Sequence, residues 1–277
     1  MGLRTERLTP ALGAEITGGF DPVLLDDPRQ ADEIHAALME HQVLFVHDAH
    51  LTPGQLAQLG RSLGGMPPPH HSYDTHPECP DVVVLEWSGQ RKPDAAEWHA
   101  DMTYRTHPPF ASVLQAVEVP PLGGDTLWAS MYAVHEALPP GLREDLSTLE
   151  AVHDLGAFRS SSYLAGGQDA LEDAIARAGV AVHPVIAVHP VTGRPYVNVS
   201  ESLTRWIIGM SAPESARVLT LLFDLINRPD FHVRLRWRPG TLAVWDNRGT
   251  QHYAVADYLP HRRVMHRVAI EDDRRNP

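Results

Sequence analysis

The stretch Tyr258-Leu259-Pro260-His261-Arg262-Arg263-Val264-Met265-His266-Arg267-Val268-Ala269-Ile270 reads as a β-strand entered through a proline-containing turn. Successive strand side chains point to opposite faces. Arg263, Met265 and Arg267 therefore share one face, and Val264, His266 and Val268 the other. If the first face points into the protein, two guanidiniums enter with it, and buried guanidiniums require anionic partners. A guanidinium fork matches a carboxylate or a sulfonate bidentately. Arg262 is then the outward arginine of the run.

Upstream lies Trp245-Asp246-Asn247-Arg248-Gly249-Thr250-Gln251-His252, and far before it Trp98-His99-Ala100-Asp101. The period of two puts the His99 imidazole and the Asp101 carboxylate on one side of an extended backbone. A distant histidine such as His252 can complete a three-ligand face. Two histidines and one carboxylate with open positions suit non-haem Fe(II). A lone His-x-Asp carries little weight in a chain with 17 histidines, and its plain alternative is a hydrogen-bonded surface pair. The spacing by itself supports a metal site followed closely by two anion sites.

The length of 277 residues, with 43% hydrophobic content, suits one domain with a sizeable core. A formal charge of −12 and the lack of a basic run argue against nucleic acid or an anionic membrane as partner. Cys79 is the single cysteine, so no intrachain disulfide forms. No N-terminal apolar signal region and no membrane-length apolar run are visible, which makes the cytoplasm the expected compartment. Homo-oligomerisation is left open.

Short apolar runs with turn signals recur at Val43 to Val46, Val82 to Leu85, Ala111 to Val117, Val182 to Val188, Tyr196 to Val199, Val233 to Trp237 and Leu242 to Trp245. Helices are expected from Pro28 to Met39, from the capping box at Thr52 to about Leu63, and from the capping box at Ser211 to about Asn227. Residues from Met131 to about Val180 look like a helical insertion around a flexible Ser160 to Gly167 segment able to act as a lid. Many short strands interrupted by a few helices predict a mainly β jelly roll or barrel with helical decoration.

Five motifs, in this order, resemble the taurine dioxygenase family of Fe(II)/2-oxoglutarate-dependent dioxygenases: His99-x-Asp101, Gly123-Gly124-Asp125-Thr126-Leu127-Trp128, Trp245-Asp246-Asn247-Arg248, Thr250-Gln251-His252 and Arg263-x-x-x-Arg267. The likeness runs from about Leu3 to about Asp273. It implies a double-stranded β-helix (jelly roll) core, and Fe(II), 2-oxoglutarate and O2 as cofactor and cosubstrates. It implies that His99, Asp101 and His252 are the metal ligands, and that Arg263 and Thr126 bind the far carboxylate of 2-oxoglutarate. Arg267, His70 and Tyr73 would then meet a small anionic substrate, with His71 the rival of His70. The implied reaction hydroxylates the carbon next to sulfur in a taurine-like sulfonate, releasing an aldehyde and sulfite.

The likeness breaks where the family carries an asparagine that meets the substrate amine. That position is Ala95, which cannot accept a hydrogen bond from an ammonium. The aromatic residue that relatives place near Leu203 is also replaced. An alkyl sulfonate or a sulfate ester is the alternative substrate. Two other classes remain: a non-catalytic jelly-roll binder, and a zinc hydrolase using the same ligands. The intact triad speaks against the first, and the lack of an adjacent acidic general base against the second.

Overall fold

The computed structural model describes residues 2–68, 73–89, 96–155 and 167–273. Among them, one eight-stranded sheet has the order β1-β2-β3-β14-β6-β16-β5-β4. Its strands are β1 (Arg4–Arg7), β2 (Ala14–Gly18), β3 (Val43–Val46), β4 (Asp74–His76), β5 (Cys79–Trp87), β6 (Ala111–Glu118), β14 (Leu242–Asp246) and β16 (Arg263–Ile270). A smaller sheet runs β13-β7-β15, from β13 (His232–Leu235), β7 (Thr126–Ser130) and β15 (Thr250–Ala254). A third sheet joins β12 (Thr204–Ile207), β8 (Glu150–His153) and β9 (Ala181–Pro184), and a hairpin pairs β10 (Ile186–Val188) with β11 (Pro195–Val197). Among the described residues every strand pairing is antiparallel except that of β2 with β3.

The alternation expected of strands buried on both faces is visible residue by residue. Val43, Phe45, Ala243, Trp245 and Met265 join a cluster with Trp128, Val233 and Leu235 of the smaller sheet. This is the interior between the two sheets. Leu44, Val46, Leu242, Val244, Val268 and Ile270 point the other way, onto a cluster with Ile34, Leu38, Leu56 and Leu59. Those four come from α1 (Pro28–His41) and α2 (Pro53–Leu63). Burying an aliphatic side chain of this size contributes about 1.5–3 kcal/mol, which makes the two-layer packing the main source of stability. Behind the smaller sheet, Met131, Tyr132 and Val134 of α3 (Met131–Ala137) pack with Leu219 and Leu222 of α6 (Ala212–Ile226).

The helix starts follow their capping chemistry. The Asp27 side chain accepts from the Arg29 amide, with Pro28 at the first turn. Thr52 with Gln55, and Ser211 with Glu214, form the two expected capping boxes.

The region from Met131 to Val180 is only partly helical. It holds α3, α4 (Pro140–Ser147) and α5 (Gly167–Ala178), but β8 runs through its middle and pairs with β9 and β12. Of the expected lid, Ser160 to Gly167, all but Gly167 lies outside the described residues. The run Val182 to Val188 is two strands rather than one because the chain changes partner: Pro184 still pairs with Glu150 of β8, whereas Ile186 to Val188 pair with β11. Between them, Val185 donates to the Leu149 carbonyl and accepts from the Asn198 amide. β15, too polar to be read as a strand from Thr250 to Ala254, carries His252.

Candidate metal and anion site

His99 and His252 are joined by a two-bond antiparallel bridge, His99 N–H to His252 O at 3.1 Å and His252 N–H to His99 O at 2.8 Å. The bridge extends the smaller sheet beyond β15 and sets the imidazoles side by side, with ring centroids 4.1 Å apart. Oδ1 of Asp101 lies 3.9 Å from His99 Nε2 and 3.8 Å from His252 Nε2. All three side chains are buried, and their ligand atoms lie within 4.8 Å of one another. Nδ1 of His99 faces the Glu97 carbonyl at 2.8 Å, which fixes that nitrogen as the donor and turns Nε2 inward as a lone pair.

Burial, then the neighbouring His99, hold the His252 pKa well below the ordinary imidazole value, against the pull of Asp101. A neutral imidazole is the form that binds a metal. For Asp101, burial opposes ionisation, but the Arg267 guanidinium beside it outweighs this and keeps the carboxyl below its usual range. Two imidazole nitrogens and a carboxylate, grouped in this way, fit Fe(II).

The arginine face of β16 points into the same interior. Arg267 Nη2 donates to Asp101 Oδ2 at 2.5 Å and to Ser112 Oγ at 3.1 Å, and Ser112 Oγ itself lies 3.2 Å from Asp101 Oδ2. Arg263 is 4% exposed, and its Nε and Nη2 are buried without a hydrogen-bond partner among the described residues. Burial lowers its pKa. A buried guanidinium fork of this kind has the charge and shape to take a carboxylate. Arg262 points outward, where it pairs with Glu86 and Glu118.

Thr126 opens β7 on the interior face. Its Oγ1 accepts from Trp237 Nε1 at 2.9 Å, which leaves the hydroxyl proton free to be donated. The chain reaches Thr126 through Gly123 and Gly124, at φ +76° and +72°. A Cβ on Gly123 would meet Asp257 Oδ1 at 2.4 Å, and one on Gly124 would meet Arg263 Cδ at 3.3 Å. Only glycines allow that turn against Arg263.

Tyr73 packs, half-buried, on the cluster between the sheets. His70, its rival His71 and Ala95 lie outside the described residues. Leu203 is buried against Tyr104, Leu155 and Ala174. Trp245 stands over the site, its ring 4.9 Å from that of His252.

Ser112 and Trp237 belong to none of the sequence motifs, and His189 reads from the sequence only as a structural or solvated histidine. Ser112 was visible only as a lone hydroxyl on the interior face of an apolar strand. His189 is buried against Asp246 at 3.0 Å, a contact across the fold with no local signature. Asn247 was part of a quoted motif but carried no assigned role.

Residues 4–269 match the family described as taurine catabolism dioxygenase TauD, TfdA family. The chain is 32% identical to an alkylsulfatase of Acinetobacter baylyi, over 97% of this chain and 84% of the relative. It is 33% identical to an alpha-ketoglutarate-dependent sulfate ester dioxygenase of Pseudomonas putida, over 94% and 86%. Its fold superposes on the crystal structure of a taurine dioxygenase from Burkholderia xenovorans with a TM-score of 0.83 at 30% identity, covering 100% of this chain and 93% of that one. The jelly-roll layering, the iron-type ligand set and a match over nearly the whole chain agree, and the chain belongs to the taurine catabolism dioxygenase TauD, TfdA family.

Proposed function

We propose that the chain is an Fe(II)- and 2-oxoglutarate-dependent dioxygenase that oxidises the carbon next to sulfur in a small organosulfonate. The observation that carries this reading is Arg267, a cation held against the metal-facing carboxylate on the same strand face as the buried Arg263. His99, Asp101 and His252 are the iron ligands. When bound, iron with O2 and 2-oxoglutarate supplies the oxidant that replaces a C–H by C–OH. Arg263 and the Thr126 hydroxyl take the distal carboxylate of 2-oxoglutarate. Arg267, with His70 and Tyr73, takes the substrate's anionic head and sets the neighbouring carbon towards the metal.

The balance is one sulfonate, one O2 and one 2-oxoglutarate giving succinate, carbon dioxide and an α-hydroxysulfonate. The latter breaks its C–S bond to leave an aldehyde and hydrogensulfite. A second reading keeps the chemistry and changes the substrate to an alkyl sulfate ester, which yields an aldehyde and hydrogensulfate. Ala95 and the names of the two relatives favour it.

The negative charge and single cysteine support an enzyme acting on a small molecule in the cytoplasm, independent of nucleic acid and membrane. No helix among the described residues is long and apolar enough to cross a membrane. The test is a panel of taurine, butanesulfonate, an alkyl sulfate and a carboxylate, followed for succinate together with sulfite or sulfate. Turnover of the carboxylate alone would remove the organosulfur assignment and keep the cosubstrate assignment.

A further inference from the structure

Asp101 is the one triad residue that no strand holds. His99 and His252 lock each other through their backbone bridge. Asp101 lies two residues past it in a turn, and the following Met102 sits at φ +53°, a conformation disfavoured for any residue with a Cβ. Arg267 and Ser112 hold only the outer carboxylate oxygen, Oδ2.

The backbone of this turn is held by Asn247, which is 2% exposed. Its Oδ1 accepts from the Asp101 amide at 2.7 Å. Its Nδ2 donates to the Asp101 carbonyl at 3.1 Å and to the Pro109 carbonyl at 3.0 Å. The amide orientation follows from the partners, since a flip would set donor against donor and oxygen against two oxygens. Asn247 is itself anchored, its own amide donating to the Phe110 carbonyl at 2.9 Å.

We infer that Asn247 is a positioning residue of the metal centre: its side-chain amide grips both backbone groups of Asp101 and so presents Oδ1 to the two imidazoles. The inference rests on the iron reading above. It connects the segment that carries His252 to the turn that carries Asp101, so the third ligand is registered to the histidine pair by one side chain rather than by a ladder.

The experiment uses Co(II) as probe in the full-length protein, reading both affinity and the visible d–d spectrum. Asn247→Ala should bind Co(II) about 10- to 100-fold more weakly, with a changed spectrum at saturating metal. Leu56→Ala, a core variant under the opposite face of the large sheet, should lower the melting temperature and keep wild-type affinity and spectrum. Wild-type affinity and spectrum in Asn247→Ala, or the same loss in Leu56→Ala, would overturn the inference. If Asn247→Ala does not fold, Asn247→Asp is read instead. It keeps the acceptor for the Asp101 amide but sets a carboxylate oxygen against the Asp101 and Pro109 carbonyls, so a weakening at least as large is expected, and undiminished affinity overturns the inference. Equal binding by wild type and His99→Ala would instead remove the metal centre itself.

Discussion

Arg263 and Arg267 leave the same face of the same strand, yet their surroundings are opposite. Arg267 has its anion inside the chain, in the Asp101 carboxylate, although its Nε is buried without a hydrogen-bond partner among the described residues. Arg263 is more deeply buried, and two of its nitrogens, Nε and Nη2, have no hydrogen-bond partner among the described residues. A buried cation held without an anion costs stability that a packed apolar side chain would not. The difference teaches that an internal carboxylate accounts for much of the first arginine's position, whereas the second is placed as a cation awaiting a ligand would be.

The largest effect that would break this contrast lies in the triad. Ala at His99, Asp101 or His252 should remove metal binding, since two remaining donors cannot hold the ion in place of three. Metal stoichiometry near the wild-type value in all three variants would contradict the ligand assignment.

The two arginines should respond with opposite signs when stability is measured on metal-free protein. Arg267→Met leaves Asp101 buried without its partner and should destabilise by about 3 kcal/mol, at the low end of the range for breaking a buried pair. Arg263→Met replaces an unpaired buried cation by an apolar chain and should stabilise by about 1 kcal/mol. Denaturant unfolding of both variants checks this, and a loss of similar size in both would erase the contrast.

A smaller effect concerns His153, buried beside Thr103 in the segment that follows Asp101. Burial, with a lesser contribution from His183, pushes its pKa down to about 3. Between about pH 3 and 6.5 the unfolded chain binds the proton that the folded chain refuses, so stability falls as pH falls through this window. From pH 7 to 5.5 this one group should account for about 1 kcal/mol. The measurement is the pH slope of unfolding free energy in wild type and His153→Gln; equal slopes would show that His153 does not remain neutral.

Much of this site is legible in the sequence because its parts obey short-range rules. The period of two sorts Arg263 and Arg267 from Arg262, and the paired glycines announce the turn into Thr126. The fold's layers follow from apolar strands such as Val43–Val46. Illegible were contacts made by single polar side chains across the fold, such as Asn247 on Asp101 and Trp237 on Thr126, which have no periodicity. β15 was missed because its ligand-bearing face is polar, and β8 because it lies between helices and is sheltered by partners distant in sequence.

Whether Arg263 is the 2-oxoglutarate arginine is decided by anaerobic titration of Fe(II)-loaded wild type, Arg263→Met and Arg267→Met with 2-oxoglutarate, followed at the metal-to-ligand absorption band. A charge-assisted bidentate contact contributes about 1.5–3 kcal/mol. Arg263→Met should therefore bind 2-oxoglutarate roughly ten- to hundredfold more weakly, with Arg267→Met close to wild type. The reverse order, or an equal loss in both, would contradict the assignment of the two arginines.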